Sequence, residues 1–297
     1  VSGTPATTPG APILDGLTVG NQQLRVNFTA PTSNGGSTIT DYLYQKNSGE
    51  PFISAGTTTS PFNITGLTNG TSYTVVIKAV NRMSVNGGDS SNSRTATPAT
   101  VPSAPTITTP IAPGDKQLTV AFTLGSNGGS AITDYQYQID ASGSFVSIGT
   151  SGAPFTITGL TNGTPYSIVI KAINGIGNTN STAVSGTPAT VPSKPATPTI
   201  EYGNQRLTVR FTPPADGGST ITGYQYLITS SSYTCAGFVK TETSPPIILT
   251  GLTNGTLYSV VVLAVNNIGN GPRSDPASGT PATVPSAPTI TGITDGN

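Results

Sequence analysis

Gly66-Leu67-Thr68-Asn69-Gly70-Thr71 returns unchanged at Gly159 to Thr164 and again at Gly251 to Thr256, a period of 92 to 93 residues. That period is the length of one small domain, so the chain is read first as a tandem repeat. Two further markers recur in step: Thr-Pro-Ala-Thr at Thr4, Thr97, Thr187 and Thr280, and Val-Pro-Ser-x-Pro at Val101, Val191 and Val284. They place three repeats at 8–100, 101–190 and 191–283, flanked by the end of a preceding repeat (1–7) and the start of a following one (284–297).

Outward from the repeated hexapeptide the pattern has period two. Leu24-Arg25-Val26-Asn27-Phe28 is matched by Leu118 to Phe122 and by Leu207 to Phe211, the alternation of a half-buried strand. The stretches Tyr73 to Ala79, Tyr166 to Ala172 and Tyr258 to Ala264 place Tyr, two aliphatics and Ala on one face. Asn34-Gly35-Gly36-Ser37 and Asn127-Gly128-Gly129-Ser130 punctuate the strands, and no useful helical periodicity appears. Several short strands bounded by turns in about 90 residues mean a β-sandwich.

Pro-x-x-Pro at the start, Leu-x-Val-x-Phe, Ile-Thr-x-Tyr-x-Tyr, Gly-Leu-Thr-Asn-Gly-Thr-x-Tyr and Ala-Val/Ile-Asn together resemble fibronectin type III domains, in all three repeats. The resemblance implies an all-β chain of tandem immunoglobulin-like, seven-stranded sandwiches, with Phe28, Tyr42, Tyr44, Val75, Ile77 and their equivalents buried. Where that family usually carries Trp in strand B, this chain has no Trp and places Phe28, Phe122 and Phe211. Tyr73, Tyr166 and Tyr258 stand where the family has its tyrosine corner, so each hydroxyl is expected to bond the backbone near the turn.

Composition narrows the chemistry. Twelve basic and twelve acidic residues give zero formal charge, and no basic run exists to drive nucleic-acid binding. The longest apolar runs, such as Val260 to Val265, are too short to span a bilayer. Without histidine, a Ser-His-Asp or Cys-His centre and a histidine metal site are excluded by inventory. The acids are dispersed, and Asp41 and Asp134 become Gly223 in the third repeat, so they are read as solvated surface groups. No metal, cofactor or catalytic site is expected, and the chain is not expected to be an enzyme. Cys235 has no partner for an intrachain disulfide. Val1 follows no visible leader, and the stretch is read as cut from a longer array.

Six sequons, at Asn27, Asn63, Asn69, Asn162, Asn180 and Asn254, are glycosylation acceptors if the source is eukaryotic and secretory. For Asn69, Asn162 and Asn254 the Asn-Gly pair has another explanation, because a tight turn needs positive φ. No Arg-Gly-Asp occurs. The joints Thr97 to Pro105 and Thr187 to Pro195 carry three prolines and no glycine, which biases them to extended backbone. Strands of ~8 residues make each domain on the order of 30 Å long, so three in line are expected to form a rod of roughly 100 Å.

The resemblance makes the Ile-Thr-x-Tyr-x-Tyr stretches strand C and Tyr73 to Ala79, Tyr166 to Ala172 and Tyr258 to Ala264 strand F, and outward positions on these two strands single out the third repeat. Lys78 and Lys171 correspond there to Leu263, and Gln138 to Leu227. Leu227, Val261, Leu263 and Val265 are therefore expected to form an exposed lateral contact patch. The leading expectation for function is an extracellular structural or adhesive array, a surface fibre or filament component at the cell surface. The alternatives are a spacer in a secreted carbohydrate-active enzyme or phage tail protein, and a receptor-type protein-binding ectodomain. Expected partners are the chain itself, neighbouring repeats, and a surface glycan or protein ligand; nucleic acid and membrane are not among them.

Overall fold

The computed structural model describes residues 5–292 apart from 151, 153, 232–236 and 241–243. Cys235 lies outside the described residues, as does part of each flanking segment. Among the described residues every regular element is a β-strand. They fall into two compact units, the first within 1–109, 121–154 and 167–184, the second within 110–120, 155–166 and 185–297.

In the first unit, repeat 1 forms β1 (Ile13–Gly20), β2 (Gln23–Thr29), β3 (Ile39–Lys46), β4 (Ile53–Ser54), β5 (Phe62–Ile64), β6 (Tyr73–Asn81) and β7 (Arg94–Ala96). Their two sheets have the orders β1-β2-β5 and β4-β3-β6-β7. Alternation decides which faces meet: Leu24, Val26 and Phe28 from one sheet pack in one core with Tyr42, Val75, Ile77 and Ala79 from the other. Phe28 approaches Tyr42 at 4.4 Å between ring centroids, an aromatic pair at the centre of this core. Tyr44 is only half-buried, because its ring sits at the rim of this core, 5.7 Å from Phe62.

Repeat 2 contributes β8 (Thr106–Ile107), β9 (Ala112–Gly114), β10 (Gln117–Val120), β11 (Phe122–Thr123), β12 (Ile132–Ile139), β13 (Ser142–Gly149), β14 (Phe155–Thr158), β15 (Tyr166–Asn174), β16 (Asn178–Asn180) and β17 (Val184–Gly186). The first unit holds β8 paired with β11, and the sheet β13-β12-β15-β16. Tyr135 is buried there, with Phe122 edge-on at 5.3 Å.

The second unit holds β9-β10-β14 of repeat 2 and the whole of repeat 3. The latter comprises β18 (Thr199–Gly203), β19 (Arg206–Arg210), β20 (Ile221–Ser230), β21 (Val239–Lys240), β22 (Ile247–Thr250), β23 (Tyr258–Asn266) and β24 (Ala277–Gly279). Its sheets, β18-β19-β22 and β21-β20-β23-β24, repeat the strand orders of repeat 1. Leu207, Val209, Tyr224, Val260 and Val262 share its core, with Phe211 and Tyr226 half-buried against it.

The expected tyrosine corner is present three times. The Tyr73 hydroxyl accepts from the Thr68 amide at 3.1 Å, Tyr166 from Thr161 at 3.0 Å, and Tyr258 from Thr253 at 3.1 Å. Each bond ties the start of β6, β15 or β23 to the repeated hexapeptide before it.

Candidate functional site: the joints between repeats

At the end of β6, β15 and β23 the inward-facing position is an asparagine. Asn81, Asn174 and Asn266 are buried, and a buried amide must find partners for all its polar atoms. Asn174 Nδ2 donates to the carbonyls of Thr100 and Asn127, each at 2.8 Å, while its Oδ1 accepts from the amides of Ile176 and Gly177. Asn266 does the same in repeat 3, donating to Thr190 and Asp216 and accepting from Ile268 and Gly269. One side chain thus gathers the incoming linker, the Gly-Gly turn before β12 or β20, and the loop that follows the asparagine.

The linkers are held by backbone bonds as well as by their prolines. Gly70 N donates to Pro98 and Ala99 N to Gly20, fixing the linker to repeat 1; Thr100 N donates to Gly128 and Ser103 N to Ser126, fixing it to repeat 2. The second joint repeats the set with Gly163 to Pro188, Ala189 to Gly114, Thr190 to Gly217 and Ser193 to Ala215. The prolines at 102, 105, 192 and 195 are buried.

Where the repeats touch, a glycine of one lies against the turn of the other. Gly129 stands against the turn of Asn69 and Gly70, so a Cβ there would lie 2.4 Å from Gly70 N; at Gly218 it would lie 2.4 Å from Gly163 N. Only glycine fits, and both also have positive φ, +88° and +87°. Beside the first joint lies an open cleft of about 470 Å³ lined by Asn69, Gly70, Thr100, Ser103, Asn127 and Gly128.

Asn69, Asn162 and Asn254 do not themselves adopt positive φ; the following glycines do. Their side chains serve another end. Asn69 Oδ1 accepts from Gln22 N and its Nδ2 donates to Asn21 Oδ1, both at 2.8 Å, pinning the β1–β2 hairpin turn in which Gln22 has φ 55°. Asn162 holds Lys116 and Asp115 in this way, and Asn254 holds Gln205 and Asn204. Among the other sequons, Asn27 donates to Thr18 Oγ1 at 3.3 Å, and Asn63 and Asn180 are exposed.

Strands C and F are adjacent, as expected: Leu227 faces Val261, Gln225 faces Leu263 and Gly223 faces Val265 on β20 and β23. The exposed patch is nevertheless corrected. Leu263 is 4% exposed, and Leu227, Val261 and Val265 are half-buried. In repeats 1 and 2 the lysine at this position lies over a phenylalanine ring, Lys78 over Phe52 at 4.5 Å and Lys171 over Phe145 at 3.3 Å. In repeat 3 leucine removes that cation, and Arg273 stacks on Phe238 at 4.7 Å in its stead. Parity with the outer face therefore does not make this position exposed.

Asp41 and Asp134 are also more than solvated acids. Asp41 accepts from the Tyr42 amide at 2.8 Å, and Asp134 from Ser147 Oγ at 2.7 Å, which ties β12 to β13. No group of His, Cys, Asp and Glu that could hold a metal ion occurs among the described residues. No helix among them is long and apolar enough to cross a membrane.

Compared with known families, residues 12–97, 103–187 and 193–280 each match the Fibronectin type III domain. The chain belongs to this family. Fibronectin type III repeats therefore account for all three β-sheet repeats and their shared turns. The chain is 31% identical over 288 residues to Exoglucanase B of Cellulomonas fimi, covering 90% of this chain and 25% of that protein. Against Endoglucanase B of Cellulomonas fimi it is 30% identical over 288 residues, covering 88% and 26%. A Kelch domain-containing protein of Saccharolobus solfataricus is 32% identical over 118 residues, 39% of this chain and 16% of that protein. The chain thus spans about a quarter or less of these relatives.

Proposed function

We propose that this chain is a non-catalytic spacer array of an extracellular protein, whose repeats are held at set orientations by their joints. The observation that carries this reading is the duplicated joint: the same backbone bonds, asparagine and glycine contact recur between repeats 1 and 2 and between repeats 2 and 3. A flexible tether needs none of these. Similarity to two glucanases along nearly the whole chain supports a module that accompanies catalytic domains. A structural or adhesive array, such as a surface fibre, is the second reading, favoured by the near-identical turns and the sparse charge of 8%.

The test places dyes on adjacent repeats, at Ser48→Cys and Ser144→Cys with Cys235→Ser. Single-molecule energy transfer should give one narrow distribution, as a fixed joint requires. A broad distribution like that of a flexible linker removes the spacer reading.

A further inference from the structure

Asparagine followed by glycine is a chemically unstable pair, because the glycine amide nitrogen has no side chain beside it to bar attack on the asparagine carboxamide. The chain holds eight such pairs, and in six the fold ties the carboxamide down. Asn69, Asn162 and Asn254 are each held by a hairpin turn through both side-chain polar atoms, every bond at 2.8 Å. Asn174 is buried with its amide fully paired, and Asn34 and Asn127 accept from Gly36 N and Gly129 N at 2.9 Å. Glycine amides are engaged too: Gly70 N donates to Pro98 and Gly163 N to Pro188, both at 2.9 Å.

In the other two pairs, Asn86-Gly87 and Asn270-Gly271, the asparagine is exposed and its carboxamide makes no hydrogen bond among the described residues. Their backbones differ. Asn270 bridges Val265, and the amide of the buried Gly271 donates to Ala264 at 2.9 Å, so this pair is fixed against β23. Asn86 lies in the loop after β6, within the turn from Ser84 to Gly87, where Gly87 N donates to the Ser84 carbonyl at 3.1 Å. A bond between such close neighbours opens without opening the sandwich.

We infer that Asn86 is a site of spontaneous deamidation, and that the fold, not the local sequence, singles it out among the Asn-Gly pairs. The Gly87 amide nitrogen gives up its proton to solvent and bonds to Asn86 Cγ. The Cγ–Nδ2 bond breaks, and the side-chain nitrogen takes a proton and leaves as ammonia. Water then opens the cyclic imide at one carbonyl or the other, giving aspartate or isoaspartate. Either product places a new negative charge between Arg82 and Asp89.

The test holds the intact chain, folded, in mildly alkaline buffer, and in parallel in concentrated urea with loss of the β-sheet signal verified by circular dichroism. Tryptic peptides are sampled over weeks and sequenced by electron-transfer fragmentation, which separates aspartate from isoaspartate. In the folded chain the peptide Met83 to Arg94 should convert first, at Asn86, as a mixture of both products. Its rate should exceed those at Asn69 and Asn162 by roughly ten-fold or more, since their reaction waits on release from the hairpin turn. In urea that lead should vanish. A folded-state rate at Asn86 no greater than at Asn69 and Asn162, or equal conversion at Asn270, overturns the inference. A lead that persists in urea overturns it as well, because neighbouring sequence would then set the rate.

Discussion

Asn174 Nδ2 lies 2.8 Å from the carbonyl of Thr100, a residue of the linker 74 positions earlier in the chain. The same amide nitrogen reaches Asn127, so removing it strands carbonyls of two segments at once. Asn174→Ala should lower the stability of repeat 2 by about 2–3 kcal/mol, the cost of unpaired buried polar groups. Chemical denaturation, read against the same change at the exposed Asn180, measures it; a loss no greater than at Asn180 would contradict this role.

Gly129 and Gly36 separate backbone strain from joint contact. Both have positive φ, so alanine at either should cost about 1–2 kcal/mol through backbone strain. Only at Gly129 would the new Cβ collide with Gly70; at Gly36 the nearest atom is 3.7 Å away. Gly129→Ala should therefore shift or broaden energy transfer between repeats 1 and 2, with Gly36→Ala leaving it unchanged.

Burial pushes the phenol pKa of Tyr42, Tyr135 and Tyr224 above the ordinary 10.0. The sign follows from linkage: a pKa raised on folding contributes stability that is complete below the unfolded pKa and is lost as pH rises through the folded one. Thermal melting should be indifferent to these tyrosines at neutral pH and should fall above about pH 10. Tyr42→Phe should make that alkaline fall shallower.

Leu263→Lys restores the residue type of the other repeats but brings a second cation toward a ring that Arg273 already covers. It should destabilise repeat 3 by about 1–2 kcal/mol, through lost apolar burial. In an Arg273→Ala background the cost should be smaller, because the lysine can then take the ring. A double-mutant cycle by denaturation supplies the coupling; additive losses would argue against a shared ring.

Much of the fold was legible because alternation is a direct record of which side chains face the core. Leu24, Val26 and Phe28 follow from period alone, whereas the corner bond from Thr68 to Tyr73 was expected from the family resemblance. The joint was less so. Asn81, Asn174 and Asn266 share the inward parity of Tyr73, Val75, Ile77 and Ala79, and a polar residue on that face three times over was the available signal. Pairing with carbonyls of other segments depends on tertiary closure, which local pattern does not encode. Leu263 misled for the opposite reason: its parity correctly gives the outer face, but parity carries no information about what lies over that face.

The contact of Gly129 with Gly70, repeated by Gly218 with Gly163, involves no side chain on either partner. The Asn174 and Asn266 bonds beside these contacts also end on main-chain carbonyls, so the joint reads groups that recur from repeat to repeat. Unequal recombination between the near-identical turns of a gene encoding such repeats would therefore change their number and leave every surviving junction intact.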